Sequence, residues 1–473
     1  MSKESLRKNI EDLKAESVAI LSSKHLTTET RLFIKSMLTI LDIVVSVLLT
    51  KKTPKTSSNS GLPPSRNNGS NGNRNKDQTN RAKLGDQIEN TRTTKTYETV
   101  SPKDCSKCGS DLRNAEVEKT EERKKVDIIY EIVEHTVSSE WKLCLDCGTI
   151  NKGKFPAGMD GKIQYGIGVK AAIIVYSVVQ MMSLERISEH LRGLIGRFIS
   201  QAVMLKYIAQ FSESLEKWER VKIEELLKSP TIYADETSIK INKKNFWIHS
   251  YSYGEITLKF VHEKRGTEAI DDIGIIPKYG GNLVHDCWAS YLSYDNVNHG
   301  LCGSHLLREL KFVEDSTGDK WASNLKKLLQ EAAEIVANRT KMRILTKKEF
   351  KRLQARYRNI LTRGKKELPD FPLPTGRRGR PKHTDAQNLW LRLTENEDAV
   401  LLFSRVKEVD FTNNRAERDL RDSKLKQKVA GTFRKLEFAK HFVRISSYLK
   451  SMRYQGYSAM EAIMLGLQGQ IPD

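Results

Sequence analysis

Residues 231–262 read TIYADETSIKINKKNFWIHSYSYGEITLKFVH. Apolar and polar side chains alternate, Ile, Tyr, Phe, Trp, Val and Thr dominate, and turn residues fall at Asn242–Asn245 and at Gly254. Period-two alternation broken by short turns is the mark of consecutive strands. Three strands are therefore expected, over TIYADETSIKI, NFWIHSYSYG and ITLKFVHEKR. A helix should follow over Thr267–Gly274, and GGNLVHD (280–286) reads as a fourth strand.

Outward from this block the period becomes helical. Residues 303–365 read as long helices. KELPDFPLPTGRRGRPKHTD (366–385) is a Pro- and Arg-rich loop, and Ala386–Leu467 is helical except near FTNN (411–414). Between Arg339 and Lys382 there are sixteen Lys or Arg and three acidic residues. Upstream, residues 160–228 are helical. A helix from Leu184, a break near Gly193 and Gly196 and a second helix from Ser200 to Tyr207 have helix-turn-helix spacing, or that of an ordinary helical pair. Residues 126–133 have a strand-like pattern. The region 1–50 carries an amphipathic stripe fit for a helical hairpin or coiled coil. The Asn-, Ser- and Gly-rich stretch 51–95, with ten basic and three acidic residues, cannot bury enough surface to order itself.

The expected organisation is thus a helical or coiled-coil region (1–50), a basic linker (51–95), a four-cysteine module (96–155) and a helical, helix-turn-helix-like segment (156–230). A first part of an α/β core (231–302), a basic helical insertion (303–400), the last part of the core (401–455) and a C-terminal tail (456–473) complete it. With 80 Lys and Arg against 59 Asp and Glu, the formal net charge of +21 calls for a polyanionic partner. The N-terminus is charged rather than signal-like. The longest apolar run, Met37–Leu49, is interrupted by Asp42 and too short to span a bilayer. A cytoplasmic, nucleoid-associated protein with no membrane partner is expected.

Four of the six cysteines form two CxxC-Gly knuckles, Cys105/Cys108 and Cys144/Cys147. Two thiolate pairs complete a closed tetrahedral set, which suits structural Zn²⁺. Three acids stand where a ribonuclease-H-like fold would want them: Asp235 ending or interrupting the first strand, Asp286 closing the fourth, and Glu417 early in a later helix. Three carboxylates around one point need cations, and hard oxygen ligands suit two Mg²⁺ or Mn²⁺ ions. Glu236, Asp271 and Asp272 are rival ligands. Glu417, Arg421, Lys424 and Lys428 share one helix face, so that Arg418, Arg421, Lys424 and Lys428 are candidate DNA-binding residues beside the Glu. A solvated charged face with i,i+4 pairing is the alternative. Asn414 is a candidate N-cap of that helix. Arg378 and Arg380, within Arg-Gly-Arg-Pro, fit a narrow minor groove or a loop gripping phosphate. Trp288 and Tyr291 are candidates for base stacking or for the core. Cys302 with His305 has the spacing of half a metal site, but with no second pair nearby a buried cysteine and a histidine near the active site or DNA is the preferred reading.

Several motifs in order, KTSSNSGLPPS, the two knuckles, Gln164-Tyr-Gly166, Asp235-Glu236-Thr237, GGNLVHDCWASY, CGSHLLREL (302–310) and FTNNRAERDLR (411–421), resemble the insertion sequence 66 family of transposases over roughly residues 50–460. The resemblance implies an α+β multidomain chain: a ribonuclease-H-like catalytic core with a helical insertion, an N-terminal helical region and a small zinc-binding module. It implies metal-dependent cleavage at terminal inverted repeats and strand transfer to target DNA by Asp235, Asp286 and Glu417. Double-stranded DNA, a homodimer or larger synaptic assembly and accessory element-encoded proteins are the implied partners. Many relatives have Asp-Asn-Asn before the last acid, whereas this chain has Thr412-Asn413-Asn414. The alternatives are a non-catalytic zinc-containing DNA-binding regulator, which needs no triad, and a ribonuclease-H-like nuclease, which needs no zinc module and basic insertion together.

Overall fold

A computed structural model describes residues 98–473 apart from 124, 126–130, 160, 162, 340–342 and 372–382, with Thr30 and Met37 ahead of them. The expected N-terminal helical region, the linker, Arg378 and Arg380 lie outside the described residues, save those two positions. The chain divides into a unit spanning Gly69–Pro156 and a second made of the rest.

In the smaller unit, β1 (Trp141–Leu143) pairs antiparallel with β2 (Ile150–Lys152), and the second knuckle forms the turn between them. An isolated bridge, Asp104 to Asp111, brackets the first knuckle in the same way. Of the expected strand over 126–133, residues 131–133 are not strand and the first five lie outside the described residues. Val117, Val133, Trp141, Leu143, Leu145 and Ile150 are exposed, so these residues form no apolar core.

The larger unit opens with α1 (Ile167–Ile174), which widens into a π-type turn at Val175–Val179. Next come α2 (Leu184–Ile195), α3 (Gln201–Ser214) and α4 (Glu216–Leu227). Ser183 and Ser200 cap α2 and α3 through Arg186 N–H and Val203 N–H, and Gly196 ends α2 at φ +67°, so the expected helix–break–helix is present.

The sheet then forms from β3 (Thr231–Ile241), β4 (Lys244–Tyr253) and β5 (Ile256–His262), an antiparallel meander. Asn242 and Lys243 take positive φ in the first turn and Gly254 in the second, as two-residue hairpins require. After α5 (Thr267–Ile273), β6 (Asn282–His285) runs parallel to β3, with Tyr233 opposite Val284. A short α6 (Ala289–Leu292) leads to β7 (Asn298–Leu301), parallel to β6 and not expected from the sequence. The strand order is β5-β4-β3-β6-β7.

Helices cover both faces. Ile232, Ala234 and Leu283 pack into a cluster that includes residues of α1–α4, while Tyr233 and Val284 pack into a second cluster. The second is filled by α7 (Gly303–Thr317), α8 (Lys320–Ala337), α9 (Lys347–Gly364), α10 (Asp385–Glu395) and α11 (Glu397–Leu401). The last helices are α12 (Asn414–Ala430), α13 (Leu436–Tyr454) and α14 (Ala459–Leu467). The helical stretch after Ala386 is therefore broken at 405–413 and again at 431–435, where Gly431 has φ +79°.

α12 packs on β3 and β4, and α13 on β5. The outward N–H groups of Thr257 and Lys259 donate to Ser451 Oγ (3.0 Å) and Ser447 Oγ (2.8 Å) of α13. Side-chain hydroxyls thus close a sheet edge that would otherwise invite another strand. The mixed sheet with fourteen α-helices among the described residues makes this an α+β chain.

Candidate active site

Alternation along β3 sends Asp235 to one face of the sheet and Glu236 to the other. Continuing the β3–β6 register by two residues from Tyr233–Val284 sets Asp235 beside Asp286, just past the end of β6. Glu417, in the first turn of α12, comes from above the same face. Asp235 feels the charges of Asp286 and Glu417, and burial, then Glu236 and Asp286, holds its carboxyl well above the usual range. Burial first, then Glu236, pushes Asp286 up to about 6, opposed by His305 and Arg265. Both carboxyls are anchored from the backbone: Glu236 N–H donates to Asp235 Oδ1 (2.9 Å) and Trp288 N–H to Asp286 Oδ1 (3.2 Å). Behind Asp286, burial and then His299 push His285 down to about 3, and the two rings meet Nε2 to Nδ1 at 2.9 Å.

The rival acids are committed elsewhere. Glu236 accepts from Arg265 (2.6 Å) and from Tyr291 Oη (2.7 Å), and Arg265 lies between the rings of Trp247 and Trp288. Tyr291 is therefore core, whereas Trp288 is half-buried against Arg265. Asp271 accepts from Tyr294 Oη (2.6 Å), and Asp272 lies 3.0 Å from His262 Nε2.

Around Glu417 the neighbours are cationic. His305 Nδ1 and Arg308 Nη2, one turn apart on α7, lie 3.6 and 3.5 Å from Glu417 Oε1. Cys302, at the N-cap of α7, accepts Asn413 N–H at 3.2 Å. Burial opposes charge on both Cys302 and His305, yet their mutual attraction prevails: His305 rises to about 9 and Cys302 falls below the usual thiol range. Asn413, not Asn414, precedes α12. It offers no side-chain cap, and its Nδ2 instead donates to Ala234 O (2.7 Å), tying the helix start to the strand that carries Asp235. Asn414 Oδ1 lies 3.2 Å from Ser304 Oγ. Arg308, Arg265 and Asn413's strand contact are not readable from the sequence, although the His305–Arg308 spacing of one helical turn is a usable signal.

Of the candidate DNA-binding cations, Arg418, Arg421 and Lys428 are exposed. Lys424 instead donates to Ser238 Oγ (3.0 Å) and to the Ser238 carbonyl. A cleft of about 730 Å³ opens at the start of α12, lined by Arg343, Lys407, Arg415 and Arg418 among others.

In the smaller unit the two knuckles are near copies. Cys105 N–H donates to Ser110 O and Gly109 N–H to Cys105 O (2.9 and 2.8 Å), and Cys144–Thr149 and Gly148–Cys144 repeat this (2.8 and 2.9 Å). Gly109 and Gly148 take φ +74° and +70°, where a side chain would be strained. Hydrogen bonds from Ser110 and Thr149 draw the Cys108 and Cys147 thiols below their usual range. The thiol set fits Zn²⁺ chemically. The four sulfurs do not gather at one point: among the described residues, the three-ligand group within 4.8 Å is Cys302, His305 and Glu417. Among the described residues no apolar core holds the knuckles together, as is usual for small modules whose folding depends on a metal.

Residues 162–441, more than half of the chain, match the family model described as Transposase IS66 family. The chain belongs to the IS66 family of transposases. The matched span holds Asp235, Asp286 and Glu417 and begins after the cysteine knuckles. No curated protein matches this transposase. Among its described residues, no helix is long and apolar enough to cross a membrane.

Proposed function

We propose that this chain is a DDE transposase that cuts DNA at the ends of its element and joins each freed 3′-hydroxyl to target DNA, using Asp235, Asp286 and Glu417 on a ribonuclease-H-like core. The observation that carries this reading is a cluster of carboxyls, two of them, Asp235 and Asp286, pushed up by burial and then by neighbouring acids, Glu236 first, on β3, at the end of β6 and on α12. The strand order β5-β4-β3-β6-β7, with a three-stranded meander followed by two parallel strands, supports the core assignment. The intervening α7–α11 correspond to the helical insertion.

Mutually repelling buried carboxylates are what a divalent cation relieves, so the donor set fits Mg²⁺ or Mn²⁺. Bound there, such ions supply the charge that activates a water or 3′-hydroxyl and steadies the leaving oxygen. The protein's own residues supply rigidity and orientation. Backbone N–H groups fix the two Asp side chains, Asn413 locks the start of α12 to β3, and His305 and Arg308 hold the Glu417 carboxylate. Exposed Arg418, Arg421 and Lys428, with Arg378 and Arg380, would grip phosphates. The knuckle cysteines would bind structural Zn²⁺ in a module that contacts DNA or a second subunit. Two DNA ends require two such sites, hence a dimer or larger assembly, and element-encoded accessory proteins would join it.

The test is a cleavage and joining assay on DNA carrying the element's terminal repeats, in Mg²⁺ or Mn²⁺, with Asp235→Asn alongside. Metal-dependent nicking at the repeat ends should fall by on the order of 10³-fold or more in the variant, the worth of several kcal/mol of metal-centred stabilisation. Equal cleavage by both proteins would remove Asp235 from the reaction. Binding without cleavage by either would favour the regulator reading.

A further inference from the structure

We propose that Cys302, His305 and Glu417 form a binding site for a thiophilic divalent cation, Zn²⁺ being the representative, separate from the cysteine knuckles. One ligand atom from each lies within 4.8 Å of the other two. Cys302 caps α7 and His305 follows three residues later, so both side chains leave the same side of that helix, while Glu417 reaches them from α12. Ligand atoms around tetrahedral Zn²⁺ stand roughly 3.5 Å apart. His305 Nδ1 and Glu417 Oε1, 3.6 Å apart, already stand at that spacing, and the other sides of the triangle have to contract by about an ångström at most.

A second, independent observation is that His305 Nδ1 and Glu417 Oε1 are buried and make no hydrogen bond. Asn413 Oδ1, on the residue whose N–H meets Cys302 Sγ, is buried and unbonded too. His305 Nδ1 and Glu417 Oε1 lie 3.6 Å apart, and unbonded buried atoms so close are costly unless something polar comes between them. The Arg308 guanidinium does not fill that role: it stays 3.5 Å from Glu417 Oε1, and its Nε is held by Ser304 O at 3.0 Å.

The donors decide the ion. A thiolate and an imidazole select Zn²⁺-like cations over Mg²⁺ or Mn²⁺, which prefer all-oxygen sets. The Asn413 N–H and Ser304 hydroxyl, each 3.2 Å from Cys302 Sγ, help to hold a thiolate, whose proton leaves to solvent when the ion binds. Three protein ligands leave one tetrahedral position open. If Glu417 also serves the reaction proposed above, an ion here withdraws it, so that trace Zn²⁺ would act as a brake on DNA cleavage.

The test measures bound metal and not cleavage, so its failure and the failure of the catalytic reading are distinguishable. The full-length chain is stripped, reloaded with Zn²⁺ or with Co²⁺ as a spectroscopic probe, desalted and assayed for ions per chain. Wild type should hold one ion more than Cys302→Ser, whatever the knuckles hold. The Co²⁺ difference spectrum between the two should contain a thiolate charge-transfer band. His305→Ala, which spares the thiol, should lose the same ion and covers the case in which Cys302→Ser misfolds. Equal metal content in wild type and folded variants, or a difference spectrum without the thiolate band, overturns the proposal.

Discussion

Glu417 and Asp419 stand two positions apart on α12, about 200° around the helix from one another. Asp419, 1% exposed, is fully used: it accepts from Thr257 Oγ1 at 2.9 Å and from Tyr454 Oη at 3.1 Å. Glu417 offers a buried oxygen that makes no hydrogen bond, facing His305 and Arg308 at 3.5–3.6 Å. One side of the helix is a finished polar contact and the other an unfinished one. A satisfied buried acid holds a fold together, whereas an unsatisfied one burdens it until a cation or substrate arrives. On that contrast, Asp419 belongs to the structure, while Glu417 fits the part in the reaction proposed for it.

The contrast breaks first at Asp419. Replacing it with Ala orphans the buried Thr257 hydroxyl, takes a partner from the exposed Tyr454 and should cost about 2 kcal/mol, seen as a lower denaturation midpoint in urea. An unchanged midpoint would mean that the network around Thr257 and Tyr454 contributes nothing. On the other side the sign reverses. Asp286 sits at about 6 against an ordinary 3.8, so the folded protein keeps its proton in that window and stability falls as pH rises through it. The cost of the charged form is fully present above about pH 6. In metal-free buffer at pH 8, Asp286→Asn should therefore be more stable than wild type by about 1–3 kcal/mol, with the gap closing below about pH 4. A variant less stable than wild type at pH 8 would sink the idea that this carboxyl is a burden on the fold. The smallest effect is expected at the surface. Arg418→Ala should leave stability alone and make the slope of log affinity for DNA against log salt shallower by about 0.9, the share of one phosphate contact. A slope equal to that of wild type would take Arg418 off the DNA.

The meander was legible because its alternation and its turns agree: Asn242 and Lys243 turn where the pattern breaks. Helix starts carrying a Ser or Thr three residues ahead of Glu or Gln, at Thr346, Thr384 and Ser458, were equally open to reading, since each is a reciprocal cap. β7 was not. Its four residues, Asn-His-Gly-Leu, show no period, and Gly300 is set by contact alone, with Val284, Leu402 and Val409 where a side chain would stand. In the site, Asp286 and Glu417 could be selected by their places at a strand end and a helix start; Asp235 was read as ending or interrupting the first strand but lies well inside β3, which runs on to Ile241. The spacing of Cys302 and His305 says nothing of Glu417, more than a hundred residues away. That link exists only because the fold brings the start of α7 against the start of α12. The knuckles were readable as turns, but not that their four sulfurs would fail to gather at one point in the structure.

The serines that cover β5 have a consequence for how the chain is made. β5 leaves the ribosome nearly two hundred residues before Ser447 and Ser451 of α13, and α12 with Glu417 emerges in the same late stretch. Domains begin to fold during synthesis, so the growing chain carries an uncovered strand until its last helices arrive. The segment that closes this edge follows directly on the one that delivers the last acid. A copy cut short before α13 would leave β5 uncovered, and one cut short before α12 would also lack Glu417.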